Sequence, residues 1–132
     1  YSKAFEYNYV VLDIKHKKKA ECIIPSYFGI LTFRNDKIFQ SRKASLNKNI
    51  QSKVQLSLLS KKELLRGFLT HNEQDILSSF EPKQINKIFK ELLHIRYNKR
   101  WEFLLDNQES ILPIDLQFFF KTNVNPHDIY YH

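Results

Sequence analysis

Methionine is absent from these 132 residues, cysteine occurs once, glycine twice and proline four times. Each scarcity removes a class of explanation. A chain that opens on Tyr1 and holds no Met reads as a fragment or processed piece of a longer protein. Gly29 and Gly67 are isolated and cannot build a Gly-rich phosphate loop. With so few glycines and prolines, special turns are rare and most of the chain is expected to be regular. The single Cys22 forms no internal disulfide, which fits a reducing, cytoplasmic setting. Next to Ile23 and Ile24 it reads as a small buried hydrophobe rather than a nucleophile. No apolar run reaches the roughly 18 residues of a membrane span and no signal peptide is visible, so no membrane partner is expected.

What is present is apolar mass and positive charge. Hydrophobic residues make up 42% of the chain, with eleven Phe, seven Tyr and one Trp, enough for a modest core. The formal charge of +7 is unevenly spread. Residues 1–66 carry 14 Lys and Arg against 5 Asp and Glu, whereas residues 67–132 carry 7 against 9. The basic half is therefore a candidate surface for a polyanion, nucleic acid first, and the bland alternative is a solvated lysine-rich surface.

Patterning predicts an α/β (α+β) arrangement. "YVVLDI" is a compact β-branched and aromatic run, so a strand is expected near residues 9–14. "KHKKKAECII" reads as a short helix with Lys17, Lys18 and Lys19 outside and Ala20, Ile23 and Ile24 inward, closed by Pro25. A second strand near 27–33 is almost continuously apolar, which predicts burial on both faces. "RNDK" is a hairpin turn leading to a third strand near 38–43. Beyond the polar connector 44–53, the periodicity of Leu56, Leu59, Leu64, Leu65, Phe68 and Leu69 predicts one helix or two. Asn72 suits a helix N-cap and Pro82 a first helical turn. Ile85, Ile88, Phe89, Leu92, Leu93 and Ile95 form a core stripe, and Trp101, Leu104 and Leu105 are expected to anchor its continuation. A single domain over 1–132 is expected, with a sheet-containing part at 1–50 and a helical region at 51–132.

One short motif invites a catalytic reading. Asp13 and Lys15 stand two apart on a strand, so they would share a face, as in the acid-x-lysine pair of metal-dependent nucleases. One carboxylate holds a hydrated divalent ion poorly, however, and the only acid upstream is Glu6. Asp13 therefore reads as the cap before the basic helix and Lys15 as solvated. "LPID" at 112–115 has no acid-x-lysine partner downstream. The five histidines show no zinc spacing with Cys22.

Taken together, "YVVLD", "IIPSYFGI" and the hairpin ending in "SRKASLNKN" resemble the segment after the catalytic strand in an uncharacterised family of bacterial and phage proteins. That family has the restriction-endonuclease-like PD-(D/E)XK fold. The resemblance aligns Tyr1 with a helix tyrosine near the family's site, and Ile24-Pro25 with Gly29-Ile30 to its "IPxxxGI" turn. It implies that the catalytic Asp and Glu-x-Lys precede residue 1, so no catalytic or metal-binding residue transfers to this chain. Magnesium or manganese is then expected only for a complete protein, with a missing N-terminal segment or partner chain, and the chain alone is expected to be inactive. The main expectation is thus the C-terminal part of a DNA nuclease, touching phosphates through Lys15, Lys17, Lys18, Lys19, Arg42 and Lys43. The alternative is a non-catalytic module of phage or mobile-element origin that binds nucleic acid or protein. Oligomeric state is not legible.

Overall fold

The computed structural model describes residues 2–110. The expectations for Tyr1 and "LPID" lie outside the described residues. The chain divides between Leu58 and Leu59 into two compact units.

The first unit is built on a three-stranded mixed sheet in the order β1-β2-β3. β1, Tyr9–Asp13, runs parallel to β2, Gly29–Arg34, which pairs antiparallel with β3, Lys37–Arg42. These bounds lie within two residues of the expected ones, and the α+β class with a helical second half is the one observed. β1 ends because Asp13 turns back on itself. Its carboxylate accepts a hydrogen bond from the Lys15 backbone N–H at 2.9 Å, capping a single 3₁₀ turn at Ile14–His16. That is the cap role expected from the sequence. Helix α1, Lys17–Ile23, then carries the chain back towards the start of β2. Between β2 and β3, Asn35 and Asp36 take φ of 49° and 60°. A two-residue type I′ link needs both centres in the left-handed region, and Asn and Asp tolerate it best after Gly.

The register sets two unequal faces. Val10 opposite Ile30 and Leu12 opposite Thr32 share one side, where Ile30 and Thr32 are fully buried. The Thr32 hydroxyl is satisfied there by the Ser41 hydroxyl at 2.8 Å. The other side carries Tyr9, Val11, Leu31, Phe33 and Ile38 and is open, with Phe33 42% and Ile38 67% exposed. Burial of β2 on both faces, expected from its apolar run, is therefore corrected to burial on one. The reason is the length of α1: seven residues, none of them buried, cannot roof a second face. The same shortfall leaves Ile23 70% exposed and Cys22 exposed, where the sequence predicts both inside.

Gly29 is a packing requirement. A Cβ there would lie 2.2 Å from the Tyr9 ring and 2.9 Å from the Ala44 backbone nitrogen. The Cδ1–Cε1 edge of the Tyr9 ring occupies the space beside its cross-strand glycine, and its hydroxyl accepts a hydrogen bond from the Ala44 N–H at 3.4 Å.

The rest of this unit is held by neutral amides. Buried Asn47 donates from Nδ2 to the carbonyls of Ser2 and Phe5, the latter at 3.2 Å, and its Oδ1 accepts from the Asn49 N–H at 2.9 Å. Buried Gln55, on α2 (Ser52–Ser57), donates to the Ala4 carbonyl at 2.9 Å. Asn8 adds a bond to the Phe5 carbonyl at 3.1 Å. The irregular segment 2–8 is thereby fastened, with its own Ala4 buried. Each amide satisfies a backbone carbonyl that would otherwise cost about 1–3 kcal/mol to bury.

The second unit is helical: α3, Lys61–Phe68; α4, Glu73–Ser79; and α5, Pro82–Asp106. The stripe expected to make one helix or two makes two, α2 and α3. Asn72 caps α4 by accepting from the Gln74 and Asp75 N–H groups at 3.0 and 3.4 Å, and Pro82 opens α5, both as expected. Leu64, Phe68, Ile76, Ile85, Phe89 and Leu92 form the core, with Phe68 and Phe80 meeting edge to face at 5.2 Å. Gly67 lets α3 close on α5, since a Cβ there would lie 2.7 Å from Ile88. Late in α5 the buried anchor is Phe103; Trp101 and Leu105, expected to anchor, are exposed, as is Ile95. Phe103 continues the Leu92 stripe at a spacing of eleven residues, whereas Trp101 and Leu105 fall on another face of the 3.6-residue turn.

Ser60 and Glu63 make a reciprocal capping box at the start of α3, and Glu63 also grips Arg96 of α5 in a two-pronged ion pair, with Nε to Oε1 at 2.6 Å. Partial burial works against the Glu63 charge. Hydrogen bonds from Arg96 and Ser60 outweigh it and hold the carboxyl below its ordinary value, while the bond to Glu63 holds Arg96 above its own.

Candidate nucleic-acid interface

The division between units sharpens the charge pattern. Residues 1–58 hold eleven Lys and Arg against four Asp and Glu, and residues 59–132 hold ten against ten. The whole formal excess of +7 therefore sits on the sheet unit.

Topology separates the six cations named from the sequence into two groups. Lys15, Lys17, Lys18 and Lys19 follow the carboxyl end of β1. Arg42 and Lys43 stand at the carboxyl end of β3, which, being antiparallel to β2, lies at the opposite end of the sheet. A six-residue strand puts those ends roughly 17 Å apart. The Lys cluster is solvent-facing: Lys15, Lys18 and Lys19 are exposed, and half-buried Lys17 faces Glu21 one helical turn on at 3.9 Å. Arg42 is spent differently. It is half-buried and donates from Nε to the Phe28 carbonyl at 2.7 Å and from Nη2 to the Pro25 carbonyl at 2.9 Å, pinning the loop that leads into β2. Lys43 beside it is exposed.

The tight hairpin adds two cations that sequence reasoning does not single out. Arg34 ends β2, pairs across the turn with Lys37, and both are exposed. Because β1 and β2 are parallel and in register, Asp13 lies beside Phe33, and the 3₁₀ turn lies against β2. Lys15, Lys17, Arg34 and Lys37 thus gather around the carboxyl ends of the parallel strands, where ligands of open α/β sheets are bound. The acids at this end are Asp13, whose carboxylate is engaged by the Lys15 N–H, and Asp36 in the turn. A signal for Arg34 and Lys37 does exist: a two-residue turn predicts that the residues flanking it sit side by side.

Among the described residues no group of three or more His, Cys, Asp or Glu side chains could hold a metal ion. No helix among them is long and apolar enough to cross a membrane. No curated protein and no solved structure matches the chain, so neither comparison supports the restriction-endonuclease-like fold implied by the resemblance. One family model does match, that of bacteriophage P4 protein cII, over residues 1–119. The chain belongs to the bacteriophage P4 protein cII family.

Proposed function

We propose that this protein is a non-catalytic nucleic-acid-binding module of phage origin, whose sheet unit contacts the phosphate backbone through Lys15, Lys17, Lys18 and Lys19. The carrying observation is the confinement of all the net charge to one unit, with four of its lysines in five consecutive positions on the solvent side. Such a surface neutralises phosphates and releases their counterions, which makes affinity fall with salt. Arg42 contributes long-range potential rather than direct contact, because its guanidinium is already occupied.

Binding of a duplex oligonucleotide, followed by fluorescence anisotropy across a salt series, tests this. Reversing Lys17, Lys18 and Lys19 to Glu is expected to lower the log–log salt slope by about 3, at roughly 0.9 per phosphate contact. A slope unchanged by the triple reversal would mean that α1 faces bulk water, and the reading would fall.

A second reading is favoured by the strand–helix–strand–hairpin order of the sheet unit, which matches the order implied by the PD-(D/E)XK resemblance. On that reading the chain completes a nuclease whose magnesium or manganese ligands lie on a segment preceding Tyr1. The family match adds nothing to it, and the binding module is preferred. Metal-dependent cleavage of DNA by a longer protein that includes such a segment would reverse the preference.

A further inference from the structure

The open side of the sheet is oddly furnished for a surface that only meets water. It presents Tyr9, Val11, Leu31, Phe33 and Ile38 in three rows, and nothing in the sheet unit's short α1 roofs them. We infer that this face takes single-stranded polynucleotide, with the exposed Phe33 ring as the surface on which a base stacks. The inference rests on the reading given under Proposed function and specifies its ligand.

Charge selects the occupant. An apolar protein partner would gain nothing from the lysine run at one end of this face, and an acidic one would need no exposed aromatic. A single strand offers both unpaired bases and regularly spaced phosphates, so it satisfies the apolar face and the cations together. Phe33 sits at the end of the sheet where β1 turns into the lysine run, so Lys15 and Lys17 border it, and the neighbouring Ile38 widens the apolar floor beside it; Arg34 and Lys37, next to Phe33 and Ile38 in sequence, alternate to the opposite face. Asp13, on the other side of Phe33, has its carboxylate turned to the Lys15 N–H, which lessens its repulsion of a phosphate. Tyr9, at the far end of the same face, is packed against Gly29 and tethered through its hydroxyl, so its ring is fixed in place before any ligand arrives. A duplex cannot use this face, because its bases are already stacked on one another; it can use only the lysines.

The test compares oligo-dT, oligo-rU and a mixed-sequence duplex of equal length, each titrated with the full chain. Phe33→Leu keeps the apolar volume and removes the ring, and Phe33→Trp enlarges it. Stacking on one aromatic contributes about 1–3 kcal/mol per base, so Phe33→Leu is expected to weaken single-strand binding about tenfold and leave duplex binding and its salt slope unchanged. Phe33→Trp is expected to restore or exceed the original affinity, which also answers the objection that a substitution at 33 merely disturbs the sheet. The ratio of oligo-rU to oligo-dT affinity tells whether the ribose hydroxyl is read. Equal affinity for single strand and duplex, with no response to either variant, overturns this inference and leaves the phosphate-binding module standing. Binding to none of the three probes overturns both.

Discussion

The helical unit has ten acids for its ten cations and spends some of that charge on its own architecture, whereas the sheet unit, with eleven cations and four acids, keeps most of its positive charge unmatched. Glu63 is the example in the helical unit, where one carboxylate caps α3 and clamps Arg96 on α5. In the sheet unit the equivalent fastening is done by Asn8, Asn47 and Gln55, whose amides tie down the carbonyls of residues 2–8 without touching the charge balance. Even Arg42, its most committed cation, is bonded to two neutral carbonyls and so keeps its full positive charge. A unit fastened mainly by neutral groups loses little of its external potential to internal pairing, Lys17 with Glu21 being one ion pair within it. That is the property a polyanion-binding surface needs.

The contrast can be broken at three places. Asn47→Ala removes a buried donor and acceptor together and is expected to cost about 2–3 kcal/mol. Denaturant melts would read the loss, and amide exchange would place it, since the Gln51 N–H bonded to the Lys3 carbonyl should lose protection. An unchanged melt would mean that water or Asn8 substitutes fully for the Asn47 amide.

Glu63→Gln should cost the helical unit about 1–2 kcal/mol at pH 7, since it keeps some hydrogen bonds but loses the charge pairing. The sign of its pH dependence follows from the lowered Glu63 pKa. That stabilisation is complete above the unfolded-state value, near pH 5 and upward, and is lost as pH falls through the depressed folded value. The gap between the native chain and Glu63→Gln should therefore close in acid; a gap that stays constant from pH 7 to pH 3 would show that the pairing contributes nothing.

The smallest effect runs the other way. Leu69 ends α3 with φ of 61° and a side chain 89% exposed, so it bears the cost of a left-handed conformation and gains no burial. Leu69→Gly is expected to raise stability by about 0.5–1 kcal/mol, the left-handed cost of about 1–2 being partly offset by the freer unfolded chain. A lower melting temperature would mean that the leucine packs in solution.

Much of this fold is legible in advance, because its signals are local. Asp13, Asn72 and Pro82 announce helix starts through their own chemistry, and the Asn35-Asp36 turn announces the hairpin. What is not legible depends on what lies opposite. Ile23 and Cys22 look like core residues in sequence, yet both are exposed, and among the described residues no element covers them. Asn47 and Gln55 look like linker and surface, yet they are buried because segment 2–8 brings its carbonyls to them. For the candidate site, the lysine run is plain in the sequence. That Arg42 serves the fold, and that Arg34 and Lys37 lie at the lysine end, needs the antiparallel register of β3. The phage connection suggested by the resemblance agrees with the family match, whereas its fold assignment rests on the resemblance alone.

The close seating of the Tyr9 ring against Gly29 has a consequence for how such sequences diverge. The two positions lie twenty residues apart along the chain but occupy one shared volume. A methyl group at 29 would have to expel the ring, and a small residue at 9 would leave a bare notch in the sheet. Drift at either site alone is penalised, so the tolerated path is a paired exchange.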